Sequence, residues 1–147
     1  MSPDDLDEVC AMERVVFSDP WPRSAFESDI RTKSTFCPVL RDTANKLIGY
    51  ANLMTFAEEA HLTNIAVSPD HRREGIGRII MDHLLQKAES EGCRAMFLDV
   101  RVSNRSAISF YQKYDFTELY RRKRYYHNPP EDAVVMVRPI GERKSHG

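Results

Sequence analysis

Leu62-Thr63-Asn64-Ile65-Ala66-Val67-Ser68-Pro69, followed after Asp70-His71 by Arg72-Arg73-Glu74-Gly75-Ile76-Gly77, is the stretch whose reading decides the fold. It predicts a strand from Leu62 to Val67, a stop at Ser68-Pro69-Asp70, a glycine turn and the opening of a helix. Ile76, Ile79, Ile80, His83, Leu84, Lys87 and Ala88 then recur along one helical stripe, and Gly92 stands where a helix C-cap glycine belongs. Two glycines let the main chain approach a ligand closely. A helix N-terminus adds unpaired N–H groups and the positive end of a dipole. With Arg72, Arg73 and Arg78 beside them, these features suit a pyrophosphate. Nucleotide motifs fit poorly, because there is no third glycine of a dinucleotide fingerprint and no Gly-Lys-Ser/Thr. Taken alone, the turn reads equally as a helix start whose glycines only redirect the chain.

Outward from the turn, residues 4–17 alternate acidic and apolar at helical spacing through Leu6, Val9, Cys10, Val16 and Phe17, until Asp19-Pro20-Trp21-Pro22 breaks the pattern. Ser24 is placed to cap a second helix through Phe26 and Ile30, with Glu27 at the capping-box position. Val39-Leu40 and Leu47 to Phe56 read as strands joined by a polar turn, Asp42-Thr43-Ala44-Asn45. Met96 to Val100 reads as a buried strand carrying one carboxylate, Asp99. Ser103 or Asn104 caps a helix bearing Ala107, Ile108, Tyr111 and Tyr114, and 116–120 and 134–137 close the sheet. The order of elements is that of a mixed α/β domain of about three layers.

The chain has 147 residues, 29% charged and 41% hydrophobic, with a formal net charge of −1. That suits one domain with a sizeable core and gives no global field toward nucleic acid or membrane. No apolar run approaches the roughly 18 residues of a membrane span. The start, Met1-Ser2-Pro3-Asp4-Asp5, has no signal-peptide apolar core. Cys10, Cys37 and Cys93 are odd in number and widely spaced, as for reduced thiols in a cytoplasm. His61, His71, His83 and His127 have no metal-ligand spacing, so no metal is expected, and His83 reads as a half-buried helix residue.

The strand, proline and glycine turn closely resemble the acyl-CoA motif of the GNAT acetyltransferases, Arg/Gln-x-x-Gly-x-Gly/Ala. Asn104-Arg105-Ser106-Ala107-Ile108-Ser109-Phe110-Tyr111 resembles that family's Asn-x-x-Ala-x-x-x-Tyr helix. The resemblance runs from about residue 4 to 140 and implies the GNAT fold: an α/β domain over 1–140, its mixed, mostly antiparallel central sheet splayed between two parallel strands, with helices on both faces. Residues 141–147 read as a polar C-terminal tail. Four further features are similar to the RimI-type branch, which acetylates the N-terminal alanine of a ribosomal protein. They are Pro20-Trp21; Glu59 with Leu62 and Asn64 to Val67; Asp99-Val100-Arg101 with Ser103-Asn104; and Tyr125-Tyr126 with Glu131-Asp132-Ala133.

The resemblance implies roles. Acetyl-CoA as cosubstrate would lie along Ile65, Ala66 and Val67. Its pyrophosphate would sit on the turn Arg72, Arg73, Glu74, Gly75, Ile76, Gly77 and Arg78, and its thioester end near Asn104 and Tyr111. The N–H of Val67 would polarise the thioester carbonyl, and Tyr111 would be the acid for the departing thiolate, its alternative being a core aromatic beside Ile108. Two carboxylates compete as base. Asp99 stands where the branch usually has glutamate and is one methylene shorter. Glu59 would bind or deprotonate the amine. Their bland readings are an ion pair with Arg101 or Arg94 for Asp99 and a solvated charge for Glu59. Trp21 with Phe17, and Tyr125 or Tyr126 opposite, would wall the acceptor peptide. The basic run Arg121 to Arg124 before those tyrosines reads otherwise as a solvated edge strand or an RNA contact, the latter disfavoured.

The expected partner is therefore a protein or peptide N-terminus, a ribosomal protein by resemblance, with neither membrane nor nucleic acid. The alternatives are a GNAT acting on lysine or a small amine, and a non-catalytic acyl-CoA-binding module. Asp115 stands where the family has a left-handed glycine, at a cost of about 1 kcal/mol.

Overall fold

Leu6, Val9, Cys10 and Glu13 follow helical spacing and form the buried face of α1 (Leu6–Val16). The computed structural model describes residues 1–72 and 74–141, so Arg73 and the tail beyond Gly141 lie outside the described residues. After α1 come α2 (Arg23–Arg31), β1 (Thr35–Phe36), β2 (Val39–Arg41), β3 (Leu47–Phe56), β4 (Glu59–Val67), α3 (Ile76–Ser90), β5 (Ala95–Arg101), α4 (Arg105–Lys113), β6 (Thr117–His127) and β7 (Pro130–Pro139). Among the described residues the strands form one seven-stranded sheet in the order β1-β3-β4-β5-β7-β6, with β2 also on β3. β4 and β5 run parallel, whereas β1 and β2 on β3, β5 on β7 and β6 on β7 are antiparallel. This is the mixed, mostly antiparallel α/β sheet expected. The parallel register runs from Glu59↔Ala95 to Leu62↔Leu98, and each strand continues past it, to Val67 and to Arg101.

The chain divides into two compact units. The first comprises residues 1–54 and 63–87. Its core joins Leu6, Val9 and Cys10 of α1, Phe26 of α2, and Leu47, Tyr50 and Ala66 of the strands, with Phe17, Trp21 and Ile30 packed against them. Helices lie on both faces of β3. Tyr50 meets Phe26 edge-on at 6.0 Å, whereas Gly49 lies under α3, where an added Cβ would stand 2.8 Å from Ile80 Cδ1 and 3.1 Å from the Ala66 carbonyl oxygen. Along α3, Ile76, Ile80, Met81, Leu84 and Ala88 are buried. Ile79 and His83 are exposed instead, so the apolar stripe is narrower than the sequence implied.

α2 starts one residue before its expected cap. Pro22, extended at φ −72 and ψ 157, is the N-cap, and Ser24 lies inside the first turn. Proline needs no hydrogen-bond partner for its nitrogen and presets the entry angle. Glu27 pairs with Arg23 at 3.5 Å rather than closing a capping box.

The second unit comprises residues 55–62 and those from Ala88 onward. β7 is its inner strand, with Ala133 to Met136 buried between β5 and β6. β4 begins at Glu59, three residues earlier than the apolar run suggested, because Glu59 to His61 pair with Ala95 to Phe97 through backbone whatever their polarity. β6 likewise runs on to His127 rather than stopping near Tyr120; it is an edge strand, exposed along most of its length. Such a strand has no buried face to print alternation into the sequence. Its register with β7 shifts between Arg122 and Tyr126, where Arg124 takes a positive φ of 50°. Gly92 ends α3 at φ +79, as a C-cap glycine should, and Asp115 ends α4 at φ +68, the left-handed position its family position implied.

Candidate active site

In the first unit, β4 delivers Ile65 and Val67 half-buried, with Ala66 buried between them. Ser68 closes the strand by donating its N–H to the Ile48 carbonyl at 2.8 Å, and a 3-10 turn, Pro69–His71, leads out. Arg72, Glu74, Gly75 and Arg78 are exposed, and Glu74 meets the His71 ring at 3.0 Å. Gly75 has φ +79, and nothing stands within 4 Å of the place a Cβ would occupy. The turn is therefore an open cradle, and α3 begins at Ile76 with first-turn N–H groups that have no intrahelical acceptor. An open main-chain surface with donors and cations fits the pyrophosphate of an acyl-CoA.

Trp21 packs inward, its ring 5.2 Å from that of Phe26. Its N–H donates to Glu13 Oε2 at 3.0 Å. Glu13 is 1% exposed. Its Oε1 accepts from the Tyr50 hydroxyl at 2.6 Å and from Asn64 Nδ2 at 2.9 Å. Burial, then the hydrogen bond and charge of Glu13, drives the Tyr50 phenol far above its ordinary value, so it stays a donor. The sequence reading passed over Glu13. The signal was present: a carboxylate continues the stripe Leu6, Val9, Cys10.

In the second unit, Asp99 is not buried. It shares the outward face of β5 with Phe97 and Arg101, while Met96, Leu98 and Val100 face the core. Its cation is neither Arg101 nor Arg94. Arg101 pairs with Glu131 at 3.3 Å and Arg94 approaches Glu58 at 3.9 Å. Arg122 of β6 stands 3.9 Å from Asp99 Oδ1, a loose contact. The Arg122 guanidinium also lies over the rings of Tyr120 at 5.6 Å and Tyr125 at 5.3 Å. Tyr126, half-buried, meets Tyr125 edge-on at 5.2 Å and lies under Arg101 at 4.4 Å. Burial, then the Asp99 charge, pushes the Tyr126 phenol up to about 12. Tyr111 is buried on α4 between Phe110 and Phe116, and burial, then Tyr126, raises its phenol well above the ordinary range. The core contacts expected of Tyr111 are thus present alongside the protonated state an acid needs.

Asp99 acts electrostatically on Tyr126, and Tyr126 on Tyr111. Glu59 does not join them: it is exposed, held by His61 at 3.0 Å, and registered with Ala95, four residues or about 13 Å along the strand from Asp99. His61 in turn stacks on Phe97 at 5.3 Å. Asn104 is the N-cap of α4, its Oδ1 accepting from Ala107 N–H at 3.2 Å, which leaves the amide nitrogen as its donor. Glu131 anchors the β6–β7 hairpin to this helix entrance by accepting from Ser103 N–H at 2.7 Å; the Ser103 side chain, then its N–H, then Arg101 hold the Glu131 carboxyl below the usual range. Burial pushes up the thiols of Cys10, Cys37 and Cys93, which form no disulfide. Among the described residues no three His, Cys, Asp or Glu side chains group as metal ligands, and no helix is long and apolar enough to cross a membrane.

A family model, Acetyltransferase (GNAT) family, matches residues 6–116, which span both the glycine turn and α4. The chain belongs to the GNAT acetyltransferases. This GNAT enzyme is 33% identical over 138 residues, 92% of each chain, to the [ribosomal protein bS18]-alanine N-acetyltransferase of Escherichia coli K12. A crystal structure of the ribosomal-protein-S18-alanine N-acetyltransferase from Escherichia coli superposes at a TM-score of 0.87 with 32% identity, covering 95% of this chain and 90% of that one. Chaetomium thermophilum Naa20, solved in complex with a bisubstrate analogue, superposes at 0.84 with 25% identity, covering 99% of this chain and 87% of that one. The likeness to [ribosomal protein bS18]-alanine N-acetyltransferases is the one expected from Trp21, Glu59, Asp99 and Tyr125-Tyr126.

Proposed function

We propose that the chain transfers acetyl from acetyl-CoA to the N-terminal α-amine of a protein, with the N-terminal alanine of a small-subunit ribosomal protein as acceptor, in the cytoplasm. The observation that carries the reading is Asp99, a carboxylate with only a loose cation, acting on the raised Tyr126 phenol, which in turn acts on the buried Tyr111 phenol. The relatives' activity on bS18 alanine supports the acceptor.

The main chain of Ile65 and Val67 binds the pantetheine arm, the turn from Arg72 to Arg78 binds the pyrophosphate, and the Asn104 amide donates to the thioester end. An α-amine has an ordinary pKa of about 7.7–8.0, against about 10.4 for lysine, so it needs little help to become neutral. Its nitrogen attacks the thioester carbon and the C–S bond breaks. Asp99 takes the amine proton through a water, as its shorter side chain requires. The Val67 N–H stabilises the oxyanion. Tyr111 gives its hydrogen bond, and finally its proton, to the departing sulfur. Trp21 and the Tyr125-Tyr126 hairpin hold the peptide.

The test pairs two peptides with acetyl-CoA. One has a free Ala N-terminus and no lysine; the other is blocked at its N-terminus and carries a lysine. Thiol release with the first and not the second is expected. Exclusive use of lysine overturns the reading, and no release with any amine, small amines included, while CoA still binds points to a non-catalytic module.

A further inference from the structure

We infer that Glu13 is a positioning residue for the acceptor: its carboxylate fixes the Trp21 segment to the strand whose end polarises the thioester. The inference rests on the reading of Trp21 as part of the acceptor wall.

A carboxylate buried on an apolar helix stripe is destabilising unless its oxygens are satisfied, and an apolar side chain there would pack without that penalty. Glu13 is satisfied by neutral donors alone among its hydrogen-bond partners: Tyr50 hydroxyl, Asn64 amide and Trp21 N–H. Each comes from a different element. Tyr50 is on β3, Asn64 on β4, and Trp21 on the segment between α1 and α2. The side chain therefore ties three pieces of the first unit to α1.

The third tie is the informative one. In Pro20-Trp21-Pro22 the flanking residues have no N–H, so Trp21 supplies the triplet's sole main-chain donor, and Glu13 takes it. Nothing else in that triplet can pin its backbone by donation. The second tie gives the pinning its meaning. Asn64 immediately precedes Ile65 to Val67, the residues assigned to the cosubstrate. One carboxylate thus sets the spacing between the segment that carries Trp21 and the end of β4. Carboxylate geometry does this where an amide would not, because both oxygens accept and neither competes as a donor. The raised Tyr50 phenol keeps that donor in place over the whole working pH range.

Trp21 is also the single tryptophan of the chain, so its fluorescence reports on the segment directly. In Glu13→Gln, KM for the free-Ala peptide should rise about tenfold while KM for acetyl-CoA stays within about twofold. Trp21 emission should become more quenchable by acrylamide while far-ultraviolet dichroism is retained. Tyr50→Phe removes one donor and leaves the Trp21 tie, so it should raise peptide KM by about threefold only. If Glu13→Gln does not fold, Tyr50→Phe is read for the same split. Both KM values moving together, or neither moving in a folded variant, overturns the inference. Wild-type transfer to the free-Ala peptide is the control. Its absence overturns the acceptor reading and this inference with it, whereas wild-type transfer with a peptide KM indifferent to Glu13 overturns the inference alone.

Discussion

The two units each set one carboxylate against tyrosine, and they do it in opposite ways. In the first, Glu13 is buried and saturated, with hydrogen bonds of 2.6, 2.9 and 3.0 Å. In the second, Asp99 keeps about a third of its side chain exposed, and its cation stands off at 3.9 Å. A carboxylate buried among three donors on three elements serves geometry. A loosely held one can accept a proton and return it to water. The difference in coordination, more than the residue type, separates the tie at Glu13 from the base proposed at Asp99.

Changes to the chemical side should break the comparison hardest. Tyr111→Phe should lower kcat for the free-Ala peptide by about 10²-fold or more with folding intact, measured as thiol release; an unchanged kcat would leave Tyr111 a core aromatic. Asp99→Asn should lower kcat by about 10²-fold, and Asp99→Glu should restore most of it through direct reach, checked in the same assay. Glu59→Gln sharpens the contrast from the other side. Standing about 13 Å down the strand by register, it should change kcat by no more than about threefold.

The remaining effects are on stability. The folded state holds the Tyr126 proton up to about pH 12, whereas an exposed phenol releases it near pH 10. Above about pH 10 the unfolded chain therefore binds fewer protons than the folded one. This stability is whole below about pH 10 and is lost as pH rises toward about 12, and Tyr126→Phe should lessen the loss in thermal melts, the share from the raised Tyr50 and Tyr111 phenols remaining. The smallest effect is Asp115→Gly at φ +68, which should stabilise by about 1 kcal/mol and raise Tm by roughly 3 °C.

The parts of the fold legible in the sequence are those where burial alternates. α3, β5 and the cap at Asn104 follow from periodicity and turn chemistry, and the glycine turn follows from Gly75. The start of β4 and the far half of β6 were not legible, because Glu59 to His61, and Arg121, Arg122, Tyr126 and His127, pair through backbone with no apolar run of their own. In the site, the residue types at Asp99 and Tyr111 could be read from their settings, but partners could not. Arg122 rather than Arg101 faces Asp99 because the β6–β7 register decides it, over a shift that one sequence does not encode locally. Glu13 was legible in principle, as the charge on an apolar stripe, but its three donors come from residues 8 to 51 positions away.

The three thiols have a consequence of a different kind. Cys10 and Cys93 are buried and Cys37 is half-buried, and burial suppresses the thiolate in each. At Cys10 and Cys93 a maleimide or iodoacetamide reagent must wait for the protein to open, and at half-buried Cys37 it is slowed. Cys10 and Cys37 lie in one unit and Cys93 in the other, so the order in which they are alkylated under mild conditions would time the opening of each half separately. The molecule carries a clock for its own breathing, and no label has to be engineered into it.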